Sequence, residues 1–459
     1  EVNRNAQSEF VKQVLAMKAP EIKPVFLDFK KDIDQGLLNK VPVILTANNN
    51  NDLFSVYYYF DMGSNNLKKL PIALEYLKYL GTNIYSAEEV NKEFYKLATD
   101  FSITCEQRST TISISGLNAN LTKSLEILGN IISNCQPDQN KLIAFINDYI
   151  KSRENDKLEK RKIMNGLANI ATYGIRNPFN YTMTDTELKF LKSEELVKLV
   201  KNLLKYPHKI LYYGPSNKAQ LLDILSKYHK GNFPTRVLPN SYPFTYKKTN
   251  TNEVNFSNYD MVQTEISWCR NAAIYNPVNV PITNLFNEYF GGGMSGIVFQ
   301  TIRESKALAY STYAVYGSAY KSGEPNYIRA YVGCQADKMK DAVSSMQELL
   351  DTLPYSERLF DITKTSLKNN YATSRMQKQQ ILFQYLDALR HDISYDTREK
   401  TYQLLDKFTF NDLKSFHQNA FSHKPYSINL IGDEKKIKWQ DISKYGKVNK
   451  YTLKQIFGY

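Results

Sequence analysis

The chain repeats itself once, at a spacing of about 217 residues. The segment GLNANLTKSLEILGNII (116–132) places Leu121, Leu125, Leu128 and Ile132 at spacings of 4, 3 and 4. These spacings give a helix one apolar face, and the strand-like run TTISIS and a glycine lead into it. The segment GCQADKMKDAVSSMQELL (333–350) repeats the spacing with Met339, Val343, Met346 and Leu350, after NYIRAYV and a glycine. Further along, SEELVKLVKNLLKYPHKILYYG (193–214) is answered by TFNDLKSFHQNAFSHKPYSINLIG (409–432). In both, a Ser or Thr N-cap opens an apolar helix, and a short strand then ends in glycine. The offsets agree: Gly116 to Gly333 and Leu196 to Leu413 are 217 residues, and Gly214 to Gly432 is 218. The chain therefore reads as two copies of one domain of about 200 residues.

Within the first copy, strands are expected at VPVILTA (41–47), LFSVYYYFDMG (53–63) and across 101–116. Helices are expected at 70–80, 86–97, 118–134 and 193–204, with a longer helical stretch over 139–170 and a strand at 209–213. Hairpin-like strands followed by runs of helices predict an α+β domain, with helices on one face of an antiparallel sheet. The intervening GNFPTRVLPNSYPFTYKKTNTNEVNF (231–256) is rich in Pro, Asn and Thr and lacks a helical period, so it reads as a linker. The expected organisation is a connector at 1–20, a first domain at 21–230, a linker at 231–255 and a second domain at 256–459.

Net charge is +13, from 59 Lys and Arg against 46 Asp and Glu. Apart from a Lys-rich tail the basic residues are scattered, and no nucleic-acid motif is present, so nucleic acid is not an expected partner. The charge reads as a solvated basic surface or, more sharply, as an anionic partner or a chamber that attracts acidic peptides. The longest apolar runs, such as LIAFI (142–146), fall far short of the roughly 20 residues a membrane span needs. The first residue is Glu1 rather than Met, which reads either as a processed product or as a piece prepared for expression, so a signal peptide is not expected within the sequence. Cys105, Cys135, Cys269 and Cys334 form no C-x-x-C pair, which argues against a zinc ribbon or redox motif. They read as buried thiols, with a disulfide between the halves left open.

The run FNEYFGGGMSGIVFQTIRESKALAYSTYAVY (286–316) resembles the second-domain signature of the pitrilysin and mitochondrial-processing-peptidase family of zinc proteases. There, a helix ends in a glycine cluster, a helix with an Arg-Glu pair follows, and a short run ending Leu-Ala-Tyr enters a strand. YLGT and SAEEVNKEFYKLATDFSITCEQRSTTISISGL (86–117) are similar to the family's first domain just after its zinc helix. QSEFVKQVLAMKAPEIKPVFLDFKKDI resembles the connector into the second half of long bacterial members. The resemblance implies two tandem LuxS/MPP-like metallohydrolase domains. It also implies an assembly of four such domains, in two halves, around a peptide chamber. One half normally carries zinc. A bacterial setting outside the cytoplasm, periplasmic or envelope-associated, goes with it.

In the family's active half an H-x-x-E-H helix sets two imidazoles one turn apart on one metal, with the Glu polarising its water. On LPIALEYLKYLGT (70–82) the first His falls on Ile72, the Glu on Glu75 and the second His on Tyr76. The distant third ligand falls near Tyr149, flanked by Asp148 and Glu154. None of the five histidines, His208, His229, His391, His417 and His423, restores the motif. The expectation is no catalytic residue and no metal in this chain, with zinc on a partner half. Ile72 and Tyr76 should pack where the metal would sit, and Glu75 should face water or a lysine.

Arg303 and Tyr310 match the family's Arg and Tyr that reach toward the scissile peptide. The resemblance makes them substrate-binding donors. The plainer alternatives are that Arg303 caps a helix and that Tyr310 is one of 34 tyrosines. GGGMSG (291–296) lacks the Lys-Ser/Thr of a phosphate loop. It reads as a helix end and turn, or as a short version of the family's substrate-contacting loop. The leading expectation is the non-catalytic half of a pitrilysin-type zinc endopeptidase. It would close the peptide chamber against a catalytic half that carries H-x-x-E-H. The alternatives are a structural scaffold subunit with no proteolytic role and a lone peptide-binding module.

Overall fold

Two six-stranded sheets carry the chain, one for each copy of the repeat, in a computed structural model that describes residues 8–17, 22–229 and 234–459. The first sheet contains β1 (Asp34–Leu38), β2 (Val41–Ala47), β3 (Leu53–Phe60), β4 (Asp100–Cys105), β5 (Thr110–Leu117) and β6 (Lys209–Gly214). Its order is β1-β2-β6-β3-β5-β4. The second contains β7 (Glu253–Asn258), β8 (Gln263–Ile274), β9 (Ser311–Gly317), β10 (Pro325–Gln335), β11 (Ser427–Gly432) and β12 (Lys447–Lys450). Its order is β12-β7-β11-β8-β10-β9.

The run β2-β6-β3-β5-β4 matches β7-β11-β8-β10-β9 strand for strand and sense for sense. Helix Leu121–Asn134 follows β5 as helix Met339–Asp351 follows β10, and β6 and β11 hold the same place. The sixth position differs. There β1 runs antiparallel to β2, whereas β12 runs parallel to β7. Each sheet is mixed rather than wholly antiparallel, because β6 and β11 return after a long helical excursion to lie parallel to β2 and β7. Long crossovers of that kind are what permit parallel neighbours.

Local pattern accounts for most elements. On β5, Thr110, Ile112 and Ile114 are buried in alternation, the period-2 signature of a strand with one covered face. The two repeat helices bury the expected faces, Leu121, Leu125, Leu128 and Ile132 in one and Met339, Val343, Met346 and Leu350 in the other. The stretch expected as one helix over 139–170 is two, Gln139–Asp156 and Lys160–Tyr173.

That break lets the second helix leave its own domain. Lys160–Tyr173 lies on the outer face of the second sheet, with Ile163, Leu167 and Ile170 packed among Ile431, Ile456 and Phe457. Helix Gln380–Arg390 of the second copy does the converse, packing Leu382 and Leu386 on Ile44, Leu211 and Tyr213 of the first sheet. Helices thus cover both faces of each sheet, one of them lent by the opposite domain. The one-faced arrangement expected from sequence would have left Ile44, Leu211 and Tyr213 in water.

The connector at 1–20 is described only in part, as helix Glu9–Ala16 and its flanks. The boundary at 230–231 lies outside the described residues. Residues 234–252 carry no helix or strand, and β7 begins at Glu253. Tyr242 and Phe244 of that segment pack against Tyr181 of the first domain at 4.7 and 5.4 Å between centroids, the second edge-on. All four cysteines are free thiols, and three of them are buried. Among the described residues, no helix is long and apolar enough to cross a membrane.

Candidate functional site

Helix Leu70–Leu77 opens on Pro71, whose missing N–H is harmless in a first turn. It buries Ile72 to 2% exposure and Tyr76 to 1%. The Tyr76 hydroxyl donates to the Asp138 carbonyl and lies 2.7 Å from Ser193 Oγ. The Asp138 N–H in turn reaches Tyr76 at 3.1 Å and Ser193 at 2.8 Å. Burial raises the Tyr76 pKa, so the phenol keeps its proton. The ring lies against Phe145 at 6.1 Å, and Phe145 meets Tyr149 at 5.8 Å.

The position of the family's third ligand is therefore part of an aromatic row, closed by the Arg153 guanidinium 4.9 Å over Tyr149. Asp148 is exposed, Glu154 pairs with Lys157 at 2.6 Å, and Glu75 pairs with Lys78 at 2.8 Å. Among the described residues no group of three or more His, Cys, Asp or Glu side chains could hold a metal ion. A buried alkyl group, a hydrogen-bonded phenol and a tyrosine packed between Phe145 and Arg153 do not fit zinc, which takes imidazole, thiolate or carboxylate.

The second copy's counterpart, helix Val280–Phe290, ends at Gly291. A Cβ there would sit 1.7 Å from the Ala314 carbonyl oxygen, so only glycine lets the helix end approach β9 this closely. Gly293 turns the chain at φ +58°. The following segment, Phe299–Ser305, is wound as a π-helix. Such wide turns are rare and frequently mark functional sites. Arg303 sits on it, 45% exposed, with its guanidinium 4.8 Å over the Phe299 ring and 3.9 Å from Glu304. It makes no hydrogen bond to a carbonyl at the helix end, so it is not a cap.

Tyr310 is pinned by its N–H to the Gly333 carbonyl at 2.9 Å, just before β9. Its side chain is 55% exposed, and Gln335 donates to its hydroxyl at 3.0 Å. Tyr310 lines a cleft of about 460 Å³ between helix Lys160–Tyr173 and the outer face of the second sheet. Arg303 is not among the lining residues. A second cleft of about 520 Å³ shares Arg329 with the first. Arg108 lines it and crosses between domains to Glu324, at 2.8 and 2.7 Å, with Tyr246 donating to the same carboxylate at 2.9 Å.

Sequence reasoning missed both clefts. The available signal was the polar alternation on β8 (Glu265, Ser267, Asn271) and β10 (Tyr327, Arg329, Tyr331), unusual for a sheet face that a helix covers.

The family described as the peptidase M16 inactive domain matches residues 191–367, a span that includes Arg303 and Tyr310. Residues 191–367 thus carry the M16 inactive-domain pattern, and the chain is similar to M16 zinc proteases. An uncharacterised zinc protease of Bacillus subtilis, YmxG, is 23% identical over 310 residues, 65% of this chain and 70% of that protein. The crystal structure of a peptidase M16 inactive domain from Pseudomonas fluorescens superposes with a TM-score of 0.67 at 13% identity, over 88% of this chain and 98% of that one. The periplasmic protease PqqL of Escherichia coli superposes with a TM-score of 0.71 at 14% identity, over 92% of this chain but 48% of its own. The chain thus spans about half the length of PqqL. At these identities the two structures establish the fold alone.

Proposed function

We propose that this chain is the non-catalytic half of a zinc endopeptidase. It closes a peptide chamber against a catalytic half that carries the H-x-x-E-H helix and the zinc. One contrast carries the reading. Two tyrosines at the positions of the family's signatures have opposite fates: Tyr76, aligned with the second histidine, is 1% exposed with its hydroxyl bonded to Asp138 and Ser193, whereas Tyr310, of the donor pair, is 55% exposed with its hydroxyl accepting from Gln335.

A guanidinium and a phenol both donate hydrogen bonds. Arg303 and Tyr310 would serve the substrate carbonyl, or the oxyanion formed when the peptide bond is attacked at the partner's zinc. Such donors matter most where charge develops, so they belong to the transition state more than to binding. PqqL is described as periplasmic, which supports placing this chain outside the cytoplasm as well.

The test is mass analysis of the native complex, followed by peptide hydrolysis with and without a chelator. A partner of similar size bearing H-x-x-E-H, with chelator-sensitive hydrolysis that needs both halves, is the expected result. A complex that contains no such partner and hydrolyses nothing overturns the reading in favour of a scaffold.

A further inference from the structure

Arg329 stands where the two inter-domain clefts meet, and no carboxylate among the described residues answers it. By register it lies between Cys269 on β8 and Val315 on β9, on the sheet face that helix Lys160–Tyr173 partly covers. Its close neighbours are the Cys269 thiol, the Tyr313 phenol and the Tyr327 ring, whose centroid is 5.7 Å away. None of these is a carboxylate. The carboxylates nearby are engaged elsewhere or lie open to solvent. Glu265 pairs with Lys160 at 2.5 Å, Glu324 is taken by Arg108 and Tyr246, and Glu106 is exposed in the turn between β4 and β5.

The 460 Å³ cleft is lined by three cations, Lys160, Arg161 and Arg329, against the single carboxylate of Glu265. Arg161 is exposed and, among the described residues, also has no ion pair. A partly buried guanidinium without a carboxylate partner is costly to keep, because burial withdraws water that a thiol and aromatic rings replace only in part. Its planar fork is the side-chain geometry best matched to a carboxylate. The floor beside it is flat: Tyr313 and Tyr331 stack at 5.4 Å with 17° between planes. The volume falls within the range of about 300–1,000 Å³ that ligand sites occupy.

We propose that this cleft is a carboxylate-binding site for peptides, with Arg329 forked onto the carboxylate and Arg161 adding charge at the helix wall. Tyr310 stands at the same cleft, so a peptide anchored by its carboxylate passes the phenol of the donor pair. The inference rests on the peptidase reading for the peptide, though not for the charge. The carboxylate is supplied either by an acidic side chain or by a peptide C-terminus.

The experiment is fluorescence anisotropy on the full chain with four labelled octapeptides. They carry Asp/Glu or Asn/Gln side chains, each with a free or an amidated C-terminus. The fully neutralised peptide is expected to bind about tenfold or more weakly than the fully charged one. Arg329→Gln should erase the difference. Asn165→Asp, a change on the exposed side of the helix wall that threatens no packing, should weaken the charged peptides by a similar factor.

Dependence on the C-terminus alone assigns the site to peptide ends, and dependence on the side chains alone assigns it to acidic residues. Either result supports the site. Equal affinity for all four peptides, no binding by any at millimolar concentration, or a charge preference that survives both variants overturns it. The chain is tested alone, so the absence of a catalytic partner would leave this result untouched. An active complex without carboxylate preference would overturn this inference and not the proposed function.

Discussion

Tyr76, which the family resemblance aligns with a metal-binding histidine, is a joint between three segments. Its hydroxyl ties helix Leu70–Leu77 to Asp138 and Ser193, residues 62 and 117 positions away. Ile72 and Tyr76 were legible in the sequence as non-ligands. Their bonding partners were not, because nothing local marks a serine that far along the chain as the mate of a phenol. Tyr76→Phe should lower stability by about 1–2 kcal/mol, as expected when a buried Asp138 N–H and Ser193 hydroxyl lose a partner, read as a lower denaturation midpoint. Ile72→His with Tyr76→His should bind no stoichiometric zinc after dialysis, since Tyr149, packed between Phe145 and Arg153, still holds the third position. In an active complex, Arg303→Ala and Tyr310→Phe should leave the thermal midpoint unchanged. Hydrolysis should fall about a hundredfold, mainly in kcat. Lower stability with unchanged hydrolysis would make the pair structural. Burial holds the His229 pKa down at about 4, so its neutral form is the one the fold accepts. The stability it contributes is whole above about pH 6.5 and is lost as the pH falls toward 4, by on the order of 3 kcal/mol. His391 runs the other way. Asp387 raises its pKa, so its contribution is whole below about pH 6.5 and is lost as the pH rises through the raised value. His229→Phe should flatten the acid limb of the midpoint–pH curve, and His391→Gln the limb above it.

At the scale of elements, the repeat helices were legible because each is read from its own local periodicity. The four periodic apolar positions of Leu121–Asn134 and of Met339–Asp351 are all buried, together with neighbours such as Ile127 and Leu349 that widen the covered face. The helix break before Lys160 was not legible, since the charged run 151–162 holds neither a Gly nor a Pro to mark it. Nor was the destination of the next helix. Ile163, Leu167 and Ile170 declare an apolar face, but periodicity does not say which sheet that face covers. Strand β1 was missed because DQGLL buries only its last residue and so shows no alternation. The clefts beside Tyr310 were invisible for the same reason as the crossing, because their two walls come from different domains. Leu167→Ala should cost about 2–5 kcal/mol through a cavity in the inter-domain packing. The change lies in the first copy, yet hydrogen exchange should accelerate most in β11 of the second copy, where Ile431 loses its cover. Acceleration confined to the first sheet would contradict this packing.

For the whole molecule, the reciprocal loan of helices couples the domains more tightly than a linker would. Unfolding should be one cooperative transition by fluorescence and by circular dichroism, and two separated transitions would contradict that coupling. The exchange also bears on origins. One copy alone would leave an outer sheet face bare and a crossing helix with nowhere to lie. Two identical copies would satisfy each other about a two-fold axis, each lending the other a helix, which is the form of a swapped homodimer. This chain has the shape of such a dimer made permanent by tandem duplication. Symmetry that began as identity leaves each copy free to drift in what it does while bound in how it folds. That is how one copy can expose Arg303 and Tyr310 while the other buries Ile72 and Tyr76.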